Sequence, residues 1–190
     1  KHKTGGAYMA EFLYSHRPFI FAHAVGSHDS VRTLLHEGGH AFHGFEVSKL
    51  PYYHQQSLEF MPMEFVEVGS MAMELLASPY LTKDQGGFYS HDEAARARLE
   101  HLEHLIAFWP YMSVVDSFQH WVYDNPELAR DPRQCDAEWS RLIRRFLPDL
   151  DWTGLDRDAE MYWMVQGHPW GSPFYYIEYG IAQLGAIGLW

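Results

Sequence analysis

The 190 residues amount to about one domain at the usual ~150 residues each, and a compact fold of that length buries roughly 70% of its unfolded surface. With 47% hydrophobic, 16% aromatic and 21% charged residues and no repeat or low-complexity tract, the chain is expected to be globular rather than disordered. Its 14 basic and 25 acidic residues give a net charge of −11 with histidines neutral, which argues against a nucleic-acid or anionic-membrane surface. The single cysteine, Cys135, excludes an internal disulfide and favours a reducing compartment.

The longest stretches without a charged residue, 161–177 and 179–190, are too short or too broken by Gly and Pro to span a bilayer. The chain starts at a lysine and stops in an apolar segment, so the sequence reads as a fragment truncated at both ends. Within it, nothing marks an internal domain boundary.

In chain order, residues 7–14 and 18–22 are aromatic or β-branched and bounded by turn residues, and predict two short strands. A helix is expected from an N-cap at Asp29 or Ser30 to about Phe45, with Val31, Leu34, Leu35, Gly38, Ala41 and Phe42 forming its apolar face. A loop at 51–53 precedes a second helix over 63–76, with Phe65, Val66, Met71 and Leu75 available for packing. After Gly86-Gly87, residues 92–108 predict a helix with a solvated face, Pro110 an interruption, and 112–123 a resumed helix stopped by Asn125-Pro126. Further helices are expected over 136–146 and 156–165, then a Gly/Pro loop over 167–173 holding His168, and a closing helix over 174–190. The fold class is mostly α.

The sharpest local signal is His36-Glu37-Gly38-Gly39-His40, an HExxH pattern on the first helix. Histidines four apart project from one helix face and can share a zinc ion, whose vacant position would lower the pKa of a water to ~7, with Glu37 beside them to take its proton. Two glycines inside a helix cost roughly 1 kcal/mol each against alanine, and close backbone approach to a substrate is a reason to keep them. For the third ligand, Glu46, Glu59, Glu64, Glu67 and Glu74 compete. Glu46 fails the metzincin pattern, which wants a glycine at His43 and a His or Asp at Glu46. Glu59 stands nineteen residues after His40 but lacks the surrounding signature, and ranks second. Glu67 lies between Val66 and Val68 in an apolar helix, where a carboxylate is costly to bury unless paired or bound to metal, so its position favours ligation. Glu74 follows two turns later and is either solvated or a hydrogen-bond acceptor for a ligand histidine.

A di-iron site would need two Glu-x-x-His pairs, and only Glu37-x-x-His40 is present. The Glu100-His-Leu-Glu-His104 cluster sits in a charge-rich segment and reads as a solvated face. At the far end, His168 and Pro173-Phe-Tyr-Tyr-Ile-Glu-Tyr179 offer the imidazole and phenol donors an oxyanion needs, with aromatic packing the simpler reading for Phe174 and one of the tyrosines.

Taken together these pieces resemble the thimet oligopeptidase and oligoendopeptidase F family of zinc metallopeptidases, more closely the oligoendopeptidase F branch. The matching segments are Gly5-Gly-Ala-Tyr8 with Pro18-Phe-Ile-Phe21, Leu35-His-Glu-Gly-Gly-His-Ala-Phe-His43, Glu64-Phe-Val-Glu-Val-Gly-Ser-Met-Ala-Met-Glu74, Asp116-Ser-Phe-Gln-His-Trp-Val-Tyr123, and His168 followed by the tyrosine segment up to Ala186. The resemblance implies a zincin-type helical catalytic core with a little β structure near its N-terminus and one zinc per chain. It places the third ligand on Glu67 beside His36 and His40, and the family's later Glu on Glu74. It further implies that His168, Tyr176 and Tyr179 bind substrate and stabilise the tetrahedral intermediate, with Tyr175 their neighbour.

The expected activity is zinc-dependent endopeptidase action on short peptides in the cytoplasm, without nucleic-acid or membrane partners. Family members are longer, so missing N-terminal and C-terminal parts are expected to complete a substrate channel. A zinc-stabilised peptide-binding module without catalysis is the alternative. A non-metal helical scaffold ranks third, since it explains neither Gly38-Gly39 nor the apolar-flanked Glu67.

Overall fold

A computed structural model describes residues 6–190. The two expected strands form a hairpin, β1 (Ala7–Phe12) and β2 (Arg17–Ala22), paired antiparallel with Ala7 opposite Ala22 and Phe12 opposite Arg17. Cross-strand aromatic pairs fix this register: Tyr8 stacks on Phe21 at 5.3 Å between ring centroids, and Phe12 meets Phe19 edge-on. Helices follow as α1 (His28–Val47), α2 (Met63–Leu76), α3 (His91–Asp124), α4 (Pro132–Phe146), α5 (Asp156–Met161), α6 (His168–Gly171) and α7 (Tyr176–Leu189), so the protein is mostly α. The described residues gather into two compact units, one built from residues 6–101 with Ile181–Trp190, the other from Leu102–Gly180.

In the first unit the hairpin and α2 both pack on α1. The N-cap of α1 is Ser27, earlier than expected, because its hydroxyl accepts from the Ser30 N–H while the Ser30 hydroxyl accepts from the Val25 N–H. The apolar face expected for α1 is buried only in part. Ala41 is buried and Val31, Leu35 and Gly38 are half-buried, but Leu34 and Phe42 are 55% and 60% exposed, and the helix also buries Glu37, Gly39, His40, Gly44 and Val47. Small residues on that face let the neighbours come close. A Cβ on Gly39 would stand 2.6 Å from Ser70 Cα and 2.7 Å from the Gly69 carbonyl of α2, and one on Gly44 would meet Glu11 Oε1 at 3.1 Å. Gly39 therefore serves contact between two helices, whereas Gly38 faces nothing within 4 Å. The Glu11 carboxylate also accepts from the Ser57 hydroxyl at 2.7 Å and the Leu58 N–H at 2.8 Å, tying β1 to the segment that leads into α2. On α2, Val66 and Leu75 are buried as expected, and Phe65 is exposed.

The second unit has an aromatic core of Met112, Val114, Val115, Phe118, Cys135, Trp139, Leu142, Ile143 and Tyr176. Pro110 lies within α3 rather than interrupting it. The helical phase that buries Leu105 before the proline buries Met112 and Val115 after it, and this packing outweighs the hydrogen bond that proline removes. Helix α4 begins four residues before its expected start, with Pro132 in its first turn and an N-cap Asp131 that accepts from the Arg133 N–H at 3.0 Å. Buried Asp136 accepts from Arg157 Nη1 at 2.7 Å and Trp163 Nε1 at 2.8 Å, holding α4 to α5 and the 3₁₀ turn Tyr162–Val165. Within the expected 167–173 loop, His168 opens the one-turn α6.

Candidate metal centre

The buried face of α1 carries the chemistry. His36 and His40, one turn apart, set their rings 4.9 Å apart and nearly perpendicular. Glu67, 4% exposed on α2, brings Oε2 to 3.4 Å from His36 Nε2 and 3.6 Å from His40 Nε2. These are the three residues among those described whose ligand atoms gather as a possible metal site, all within 4.8 Å of one another. Ligand atoms at the corners of a zinc tetrahedron with ~2.0–2.2 Å bonds lie roughly 3.3–3.6 Å apart, so both measured separations fit. Two imidazoles and one carboxylate also suit zinc chemically, and the spacing owes much to Gly39, which lets α1 approach α2 where Glu67 stands.

The rival carboxylates lie elsewhere. Glu59 is exposed, and Glu46 is exposed and paired with Lys49 at 2.6 Å. Glu74 takes the acceptor role: His36 Nδ1 donates to its Oε1 at 2.8 Å, which leaves His36 Nε2 free to face Glu67. The other Glu74 oxygen lies 3.2 Å from Nε2 of His101, a buried side chain on α3. His101 corrects the reading of the Glu100–His104 cluster as a solvated face. Ala94, Ala97, His101 and Leu105 recur at helical spacing and are all buried, a stripe in which His101 stands at an apolar position. That spacing is the signal that sequence reasoning passed over.

The electrostatics ask for a cation. Burial alone would lower the pKa of His36, but hydrogen bonds and charges from Glu67 and Glu74 outweigh it and raise it to about 10. Burial opposes ionisation of Glu74 too, yet hydrogen bonds from His101 and His36 bring its carboxyl down to about 2. Burial holds His40 neutral, near 4. Two buried carboxylates thus draw positive charge into the site, and a divalent ion would supply it. Glu37, 6% exposed, lies next to His36 outside the ligand set; burial raises its pKa, while a backbone hydrogen bond from Met9 works the other way.

The predicted residues at the far end of the chain come together within the second unit. His168 stacks on Tyr175 with rings 5° from parallel, and Tyr176 and Tyr179 meet it edge-on at 4.9 and 5.8 Å. Tyr176 is buried in the aromatic core against Phe108 and Tyr111, so it is the tyrosine most engaged in packing. Phe174 is not a core residue. It is 38% exposed, with its backbone in the left-handed region at φ 60° and its ring against His120 and Tyr123. Gln166 Nε2 lies 2.8 Å from His168 Nδ1, and the Tyr111 hydroxyl donates to Gln166 Oε1 at 2.9 Å.

A model of Peptidase family M3 matches residues 1–190. The chain belongs to Peptidase family M3. Among solved M3-like structures, one assigned as an oligoendopeptidase F is 32% identical with a TM-score of 0.84, and PZ peptidase A with an inhibitor is 30% identical with a TM-score of 0.85. A third, assigned as an oligoendopeptidase F from Bacillus anthracis str. Ames, is 30% identical with a TM-score of 0.75. Each match covers 99% of this chain but only 32%, 32% and 29% of the other, so this chain spans about a third of the length of these relatives. No curated protein matches. No helix among the described residues is long and apolar enough to cross a membrane.

Proposed function

We propose that this M3 chain carries the zinc-binding core of an endopeptidase that hydrolyses short peptides. The observation that carries the reading is the convergence of His36, His40 and Glu67 on one face with Glu37 beside them. His36, His40 and Glu67 would hold one zinc per chain, with Glu74 orienting His36 through its Nδ1–H. When bound, zinc supplies Lewis acidity toward a scissile carbonyl and brings the pKa of water down to about 7.

The remaining steps belong to the protein. Burial raises the pKa of Glu37, so its carboxylate is a stronger base than an exposed one; it takes the proton from the attacking water and hands it to the departing amide nitrogen. His168, Tyr176 and Tyr179 are assigned to donate to the substrate oxyanion, with Tyr175 a further substrate contact. Their gathering in the second unit and the family's pattern support these roles. Short peptides as substrates, and other parts of a longer enzyme as partners that complete the channel, follow the relatives. The exposed Leu34, Phe42 and Phe45 of α1 support the second point, since an apolar helix stripe is a surface other chain can cover. The lone buried Cys135 and a net charge of −11 fit a cytoplasmic protein with no nucleic-acid partner.

Metal analysis beside cleavage of a quenched fluorescent peptide tests the reading. Glu37→Gln is expected to keep one zinc per chain and lose about 10²- to 10⁴-fold in kcat. Parent turnover in that variant, or a parent protein that takes up no zinc, would overturn it.

A further inference from the structure

His168 is placed among the tyrosines, and a neutral imidazole donates from only one of its two nitrogens. Gln166 decides which. The Tyr111 hydroxyl donates to Gln166 Oε1 at 2.9 Å, and the other end of the amide, Nε2, faces His168 Nδ1 at 2.8 Å. An amide –NH₂ can only donate, so Nδ1 must accept, and the ring proton is left on Nε2. Burial lowers the pKa of His168 and so favours the neutral ring, the state in which the distinction matters. Stacking on Tyr175 with the rings 5° from parallel holds the plane of the imidazole, and the amide fixes its rotation within that plane.

We propose that Gln166 is a positioning residue that locks His168 in the Nε2–H tautomer, making it a hydrogen-bond donor toward substrate, with Tyr111 setting the orientation of the amide. The inference rests on the substrate-binding role given to His168 above for its functional consequence, though not for the tautomer itself. Gln166→Glu is the sharpest perturbation. It is nearly isosteric, but a carboxylate accepts where the amide donates, so in the neutral ring the proton is drawn to Nδ1 and Nε2 becomes an acceptor. Tyr111→Phe removes the anchor of the amide and leaves both orientations accessible.

The test is ¹⁵N NMR of the zinc-loaded full chain with labelled histidine, the His168 signals assigned by their loss in His168→Asn. The parent is expected to show a pyrrole-like Nε2 and a pyridine-like Nδ1, Gln166→Glu the reverse, and Tyr111→Phe intermediate shifts. In Gln166→Glu, kcat should fall about 10- to 100-fold with KM changing less, by analogy with the loss of an outer hydrogen-bond partner from a metal-bound histidine. A parent with the proton on Nδ1, or a Gln166→Glu protein with unchanged shifts, would overturn the inference, and Tyr111→Phe provides the reading if Gln166→Glu does not fold. Reversed shifts with parent kcat would instead leave the tautomer lock standing and remove His168 from substrate binding.

Discussion

The two units spend their interiors differently. Between α1 and α2 the first unit buries Glu37, His40, Glu67 and Ser70, packed through Gly39, while the second buries Met112, Val114, Val115, Phe118, Trp139 and Leu142. A buried carboxylate costs free energy that a buried tryptophan supplies, so the first interior is organised around a charge balance and the second around apolar area. In the first, therefore, substitutions should strike metal binding before stability, and in the second the reverse.

The largest effect expected is from Glu67→Ala. Removing the carboxylate takes away one proposed ligand and leaves His36 with Glu74 as its remaining acidic partner, so zinc content should fall from one equivalent to a trace and peptide cleavage with it. Retention of stoichiometric zinc after dialysis would mean that another carboxylate completes the site. Trp139→Ala sits at the opposite pole. Its side chain is fully buried and its indole N–H has no hydrogen-bond partner, so the loss is one of packing alone, about 3–5 kcal/mol in urea denaturation. A loss below ~1 kcal/mol would show that the aromatic core is not what holds the second unit together.

What the sequence made legible follows the same division. HExxH spacing is set by the helical repeat alone, so His36, Glu37 and His40 could be placed without the fold, and the apolar flanks of Glu67 and the bounds of α2 were equally local signals. His101 was not legible in that way. It stands in a charged run with Glu100 and Glu103, whereas its partner is Glu74 on another helix, and only the burial stripe of α3 connects them. On α1 the expected face is only partly the buried one, because apolar periodicity follows the large side chains. Here the packed face is made of small and charged residues, and Leu34 and Phe42 point outward. Pro110 was misread for a related reason, since its local cost is real but the residues packed on either side outweigh it.

The two glycines of the motif put that lesson to a direct test. At Gly39 a methyl group would overlap Ser70 Cα and the Gly69 carbonyl, which are backbone and cannot swing aside, so Gly39→Ala should force α1 from α2. The expected cost is about 1–3 kcal/mol, accompanied by weaker zinc binding because these helices carry the proposed ligands. At Gly38 the space is open, and alanine should stabilise the helix by up to about 1 kcal/mol. Equal effects on stability at the two positions would refute the assignment of Gly39 to the helix contact.

The smallest effect expected concerns acid sensitivity in the second unit. Burial lowers the pKa of His168 below its ordinary value of 6.5. The unfolded chain then binds more protons than the folded one between the two values, so the contribution of this residue to stability is present in full above the unfolded value and is lost as pH falls through it toward the folded one. His168→Asn, which cannot titrate, should therefore narrow the gap in urea midpoint between about pH 7.5 and about pH 5.5, a window that spans the ordinary histidine range. Because the other twelve of the 13 histidines are common to both proteins, their contributions cancel in the comparison. The shift arises from burial alone, with no acidic neighbour raising it, so a wider gap in the variant would mean that His168 gains a partner for its charged form on folding and that the neutral donor assigned to it is wrong.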